Sequence, residues 1–202
     1  MSIKTDLAQK KRVENYIGIR NEMLANGYIE TVETISILKA NIMALVTALP
    51  IAVVFYVLYR MKWRGYSLFG MWDIVAFIGL SLFFIVLHEF LHGFTWHFFC
   101  KKKWESIHFG VMLNSLTPYC NCKEVLSYQS YLLGGLMPFL VIGVFLFYVS
   151  YFFGNDLLML ISMINIIGAG GDTTITLMLL KYKKALILDH PTECGFIAFT
   201  KQ

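Results

Sequence analysis

The chain has 202 residues, 57% of them hydrophobic, 16% aromatic and only 15% charged, with a formal net charge of +4. A soluble domain carries about 25% charged residues, so this balance and a mean hydropathy of +0.63 exclude an ordinary soluble enzyme and point to a membrane protein. The length suits one domain, because helical spans of ~20 residues with their connectors use most of it.

Residues 1–39 are polar and mixed in charge, which is not the pattern of a signal peptide. Residues 6–38 have helical periodicity with a break at Asn26-Gly27. They are expected to form one or two amphipathic helices on the cytoplasmic membrane surface. This stretch is read as a cytoplasmic extension, and residues 40–202 as a membrane-embedded domain. Four apolar spans follow, at Ala40–Tyr59, Ile74–Cys100, Tyr128–Phe153 and Leu157–Leu180, with no internal repeat. Lys and Arg number six before the first span, four between the second and third, and four after the last, against Arg60, Lys62 and Arg64 alone on the other side. The positive-inside rule then places both termini and the loop Lys101–Ser127 in the cytoplasm. The membrane surface accounts for the basic runs, and nucleic acid is not needed to explain them.

The second span contains His88-Glu89-Phe90-Leu91-His92, an H-E-x-x-H motif. On a helix, residues four apart share a face, so His88 and His92 can offer two imidazoles to one metal while Glu89 stands beside it as a general base. Charged groups near the bilayer centre cost about 2.5–3.5 kcal/mol each even on a lenient scale, which makes a chemical role the expected reason for this cluster. After the span, Ile107, Phe109, Val111 and Leu113 alternate with His108, Gly110, Met112 and Asn114, predicting a strand or hairpin that ends at Pro118. His108 is a candidate to line the site from that strand. Cys120-Asn121-Cys122 reads as reduced cytoplasmic thiols in preference to a second metal clip. In the third span, Gly134-Gly135-Leu136-Met137-Pro138 is either a packing notch with a kink or a loosened backbone facing the site. The tail reads as two short strands, Ala185–Leu188 and Phe196–Phe199, around a turn at His190–Glu193.

A catalytic zinc site takes three protein ligands and an open position. His97 lies five residues past His92, rotated ~140° around the helix, a poor geometry; His190 in the tail turn is equally disfavoured. Asp172 is the acidic residue embedded in the fourth span. It lies as far before Leu180 as His92 lies before Cys100, so both sit ~12 Å inside the cytoplasmic end and can meet at one level. Asn165, seven residues earlier on nearly the same face, is a candidate to orient substrate, and Gly168 leaves room for a peptide to approach.

H-E-x-x-H in a membrane helix, an alternating segment after it, and an Asn/Gly/Asp pattern in a later span resemble the site-2 protease class of intramembrane zinc metalloproteases. A closer resemblance is to small bacterial four-span zincin peptidases, carried by His88 to Gly93, by Gly171-Asp172 and by Asp189 and Gly195 in the tail. It covers roughly residues 73–199. Site-2 proteases usually have Pro where Gly168 stands and Gly where Thr173 stands, and there this chain departs from them.

The expected fold is an all-α polytopic membrane protein with four transmembrane helices and a small membrane-associated β element after the second. The expected function is zinc-dependent hydrolysis of peptide bonds in membrane protein or peptide substrates, within or beside the bilayer. His88, His92 and Asp172 would hold Zn²⁺, and Glu89 would act as base. The runner-up is a non-proteolytic zinc-binding scaffold, chaperone or immunity-type protein. The sequence leaves the oligomeric state open.

Overall fold

A computed structural model describes residues 3–65, 70–112 and 117–201. Three of its helices are long and apolar enough to cross a membrane. The first, α2 (Ile37–Lys62), is capped by the Ser36 hydroxyl, which accepts from the Lys39 N–H, and it closes on Arg60 and Lys62, whose charges suit a helix C-terminus. The second, α3 (Met71–His97), begins at Gly70, whose N–H donates to the Asp73 carboxylate at 2.8 Å. The third runs through α4 (Tyr128–Pro138), a π-helical stretch Phe139–Phe145 and α5 (Leu146–Phe153). Pro138 cannot donate to the helical ladder, and the wider turn begins directly after it.

The region expected as a fourth span is two helices, α6 (Asp156–Gly168) and α7 (Gly170–Leu179), with a short 3₁₀ turn at Leu180–Tyr182. The pair is bent by 41° at Ala169. The consecutive glycines around this point weaken the ladder and permit the bend.

None of α3's hydrophobic stretch is buried inside the protein; its buried residues, His92, Gly93, Thr95, Trp96 and His97, all lie in the last two turns. Ile74, Ile78, Leu82 and Phe83 face outward, as a lipid-facing helix requires. The other helices pack in two places. Ala48, Ala52 and Tyr59 of α2 meet Phe147, Met159, Met163 and Ile166 in one core. In the other, Trp96 and Tyr131 pack on Leu179, Ile187 and Phe196.

The β structure is larger than the sequence patterns suggest. The hairpin β2 (Ile107–Met112) and β3 (Thr117–Cys122) follows α3 in the chain. Pairing continues through Pro118, opposite Val111, where the sequence pattern had ended it. Leu113 and Asn114 of the alternating run lie outside the described residues. A separate antiparallel sheet has the order β1-β6-β5-β4. It comprises β1 (Tyr28–Thr34), β4 (Leu126–Ser127), β5 (Leu186–Asp189) and β6 (Gly195–Lys201). The two tail strands are as expected, but the second N-terminal helix is instead β1, which pairs with β6 from Tyr28↔Lys201 to Thr34↔Gly195. Tyr28-Ile29-Glu30-Thr31-Val32-Glu33-Thr34 is rich in β-branched residues, which favour a pleated surface over a helix. The helix α1 (Ile3–Ala25) lays Tyr16, Ile19 and Met23 on Leu188, Ile197 and Phe199 of that sheet.

Two glycines set helix spacing. A Cβ at Gly170 would stand 2.6 Å from the Ala44 carbonyl oxygen, so α7 rests directly on α2, where Thr47 and Thr173 hydroxyls meet at 3.1 Å. A Cβ at Gly134 would stand 2.1 Å from Trp96 Nε1, the atom that donates to the Tyr131 carbonyl. Gly134→Ala should therefore destabilise the protein by about 1–3 kcal/mol through overpacking, seen as a lower Tm in detergent. Gly135→Ala, whose Cβ would lie 4.0 Å from Thr176 Oγ1, should leave Tm unchanged. Equal melting of the two variants would contradict the close Trp96 contact.

Candidate metal centre

The last turns of α3 bring His88, Glu89 and His92 to the bend between α6 and α7. His88 Nε2 lies 3.0 Å from Asp172 Oδ2, His92 Nε2 lies 3.4 Å from Asp172 Oδ1, and the two imidazole nitrogens are 3.3 Å apart. Among the described residues these three form the group of ligating side chains that could hold a metal ion. No cysteine belongs to it. Cys100, Cys120, Cys122 and Cys194 are all free thiols. Burial and the nearby Asp189 and Glu89 push the Cys120 thiol well above its ordinary range, which keeps it protonated.

The donor set fits Zn²⁺ on geometry. Ligand bonds of ~2.0–2.1 Å in a tetrahedron place neighbouring donor atoms about 3.3–3.4 Å apart, close to the three separations observed. The tautomer fits as well. His92 Nδ1 is 2.8 Å from the Gly134 carbonyl, which can only accept, so Nδ1 carries the proton and Nε2 of the neutral ring has a free lone pair. The His92 ring also stacks on Trp96, and Trp96 on Tyr131, with centroids 5.3 Å apart in both pairs. The notch at Gly134 thus combines both sequence alternatives, since it clears space for Trp96 and turns a carbonyl towards the site.

The site opens into a cavity of about 830 Å³ lined by Glu89, His92 and Asp172 together with the hairpin, α1 and the tail. Glu89 and Cys120 of β3 line the same cavity. Two residues on, the Cys122 N–H donates to Asp189 Oδ2 at 2.6 Å. The Cys122 N–H therefore points away from β2. Asp189 also accepts from the Tyr131 hydroxyl at 2.5 Å, and burial pushes its pKa up to about 6 despite those two donors.

The other candidate residues are placed elsewhere. Asn165 is buried and donates its side-chain amide to the Ile161 carbonyl of its own helix at 2.8 Å. His108 pairs with Asn121 across the hairpin, its pKa lowered by burial and then by Arg12 and Lys123. Neither of them, nor Gly168, lines the cavity. His97 stacks on Trp104, and His190, which accepts from the Glu193 N–H, lines the cavity without joining the ligating group. Sequence reasoning missed Tyr131 and Arg12 as cavity residues and gave Asp189 no structural role. Asp189 alone carried a signal, as a carboxylate closing the apolar run Leu186-Ile187-Leu188.

A helical protein with three membrane-length helices, two histidines and a carboxylate converging beside an H-E-x-x-H glutamate has the makings of a zinc metallopeptidase. A family model described as "Putative zincin peptidase" matches residues 81–187, and the chain belongs to that family. No curated protein and no solved structure matches it.

Purified protein should carry about one Zn²⁺ per chain by elemental analysis. His88→Ala or His92→Ala should abolish the metal, and Asp172→Ala should weaken it by well over tenfold. Stoichiometric zinc in a His88→Ala/His92→Ala double variant would contradict the assignment.

Proposed function

We propose that the protein is a zinc-dependent endopeptidase that cleaves membrane protein or peptide substrates within or beside the bilayer. The observation that carries this reading is the meeting of His88, His92 and Asp172 at one point of a cavity that also holds Glu89. In the proposed topology the bent pair α6–α7 completes a fourth crossing, with both termini on the cytoplasmic side, as the charge bias supports.

His88, His92 and Asp172 would hold Zn²⁺, which supplies Lewis acidity to a scissile carbonyl and lowers the pKa of water. Glu89 takes a proton from the attacking water as the carbon–oxygen bond forms, and hands it to the amine as the carbon–nitrogen bond breaks. Substrate lies extended along the outer edge of β3, adding a strand to the hairpin. A substrate on this edge would lie beside Glu89, which lines the cavity together with Cys120. Helical segments must unwind to be held this way, which favours substrates with weak helix propensity near the cut.

Glu89→Gln separates this reading from a zinc-binding scaffold. The variant should keep its zinc and its Tm, while cleavage falls by ~10²–10⁴ and an uncleaved membrane substrate accumulates in cells. If Glu89→Gln supports the full cellular phenotype and no membrane protein changes in length, the peptidase reading fails and the zinc is structural.

A further inference from the structure

The wall of the cavity contains one Lys or Arg among its described lining residues, Arg12 of α1, alongside Glu89, Asp172, Asp189 and Glu193. Arg12 lies outside the segment matched by the family model. Its Nε donates to the Pro191 carbonyl at 2.9 Å, and another guanidinium N–H donates to the Tyr119 hydroxyl. The guanidinium carbon is 5.0 Å from the Tyr119 ring centroid. Both oxygen partners are neutral, and no carboxylate lies within ion-pair distance of Arg12 among the described residues. Arg20 and Arg60, by contrast, are paired with Glu30 and Asp156.

A guanidinium has five N–H donors in a fixed plane; two are used here, so the fork is held in place with donors to spare. Such a group binds carboxylates with directed, charge-assisted hydrogen bonds. Its location fixes what it would meet. Arg12 sits on Tyr119, and Tyr119, Cys120 and Glu89 line the same cavity, so a peptide lying along β3 with its scissile bond beside Glu89 passes Arg12 within a few residues. Resting on the peptidase reading above, we infer that Arg12 recognises a carboxylate of the substrate, as an acidic side chain or a free C-terminus close to the scissile bond. The N-terminal helix thereby contributes specificity to a site whose metal ligands lie on α3 and α7.

The test uses full-length, zinc-loaded Glu89→Gln protein in detergent, which binds without cutting, and fluorescein-labelled short apolar peptides. One set carries a single Glu or Gln at successive positions; a second carries a free or an amidated C-terminus. One acidic form should bind about tenfold more tightly than its neutral counterpart, the usual worth of one charge-assisted hydrogen bond. A gain in the first set identifies a side-chain carboxylate, and a gain in the second a C-terminal one. Adding R12Q should remove the preference while affinity for neutral peptides stays the same, and R12K should restore part of it. Equal binding of acidic and neutral peptides in every pair overturns the inference. So does a preference that survives R12Q, or an R12Q variant that weakens acidic and neutral peptides alike, which would leave Arg12 as a clip between α1 and the hairpin. If wild-type protein cleaves none of these peptides while the Arg12-dependent preference is present, the failure lies with the peptidase reading and the recognition stands.

Discussion

The structure depends on the contact between two imidazoles of α3 and one carboxylate of α7. Three polar side chains partly withdrawn from solvent among apolar helices are costly unless they satisfy one another or a cation. His88 and His92 present nitrogens 3.3 Å apart, and in their neutral forms at most one can donate to the other. A divalent cation satisfies both nitrogens and the Asp172 carboxylate at once. Bringing them there constrains the helices around them. The bend at Ala169 directs Asp172 towards α3, and the close contact of Gly170 with Ala44 holds that bend against α2. On the other side, the Gly134 carbonyl and the Trp96 ring hold His92.

Around the cluster, elements distant in sequence form one cavity. β3 gives the Cys122 N–H to Asp189 and shares the cavity wall with Glu89 through Cys120. Asp189 ties the tail sheet to both the hairpin and Tyr131 of α4. The N-terminal segment is built into the same assembly, since β1 forms the edge of the tail sheet and α1 covers its face. Arg12 and Asn15 of α1 reach Tyr119 and the Lys123 carbonyl of the hairpin region. A region that reads as a separate extension therefore forms part of the wall beside the metal centre.

The features legible in the sequence are those set by local periodicity and hydropathy. His88 and His92 share a face through helical geometry, and Asp172 was matched to them in depth by counting residues from the span ends. The structure brings the three side chains together, as helix rise and residue counting lead one to expect. The break at Ala169 was not legible, because Gly168-Ala169-Gly170-Gly171 serves equally as a tight helix contact or as a kink. Strand β1 carries a local signal in its β-branched residues, but its pairing partner, β6, lies at the other end of the chain, where no local pattern records it. Asn165 shows the limit of face arguments, because its amide turns back to its own helix at Ile161. Arg12, Tyr131 and Asp189 meet the cavity only through folding over long separations, which no local spacing records.

X-ray absorption at the zinc edge of the metal-loaded protein tests the central claim most directly. The account predicts a first shell of nitrogen and oxygen alone at about 2.0–2.1 Å, with the outer-shell signature of two imidazoles, reduced on Asp172→Ala to the histidine contribution and solvent. A sulfur shell at about 2.3 Å would move the metal to the cysteines near the hairpin and contradict the assignment of His88, His92 and Asp172.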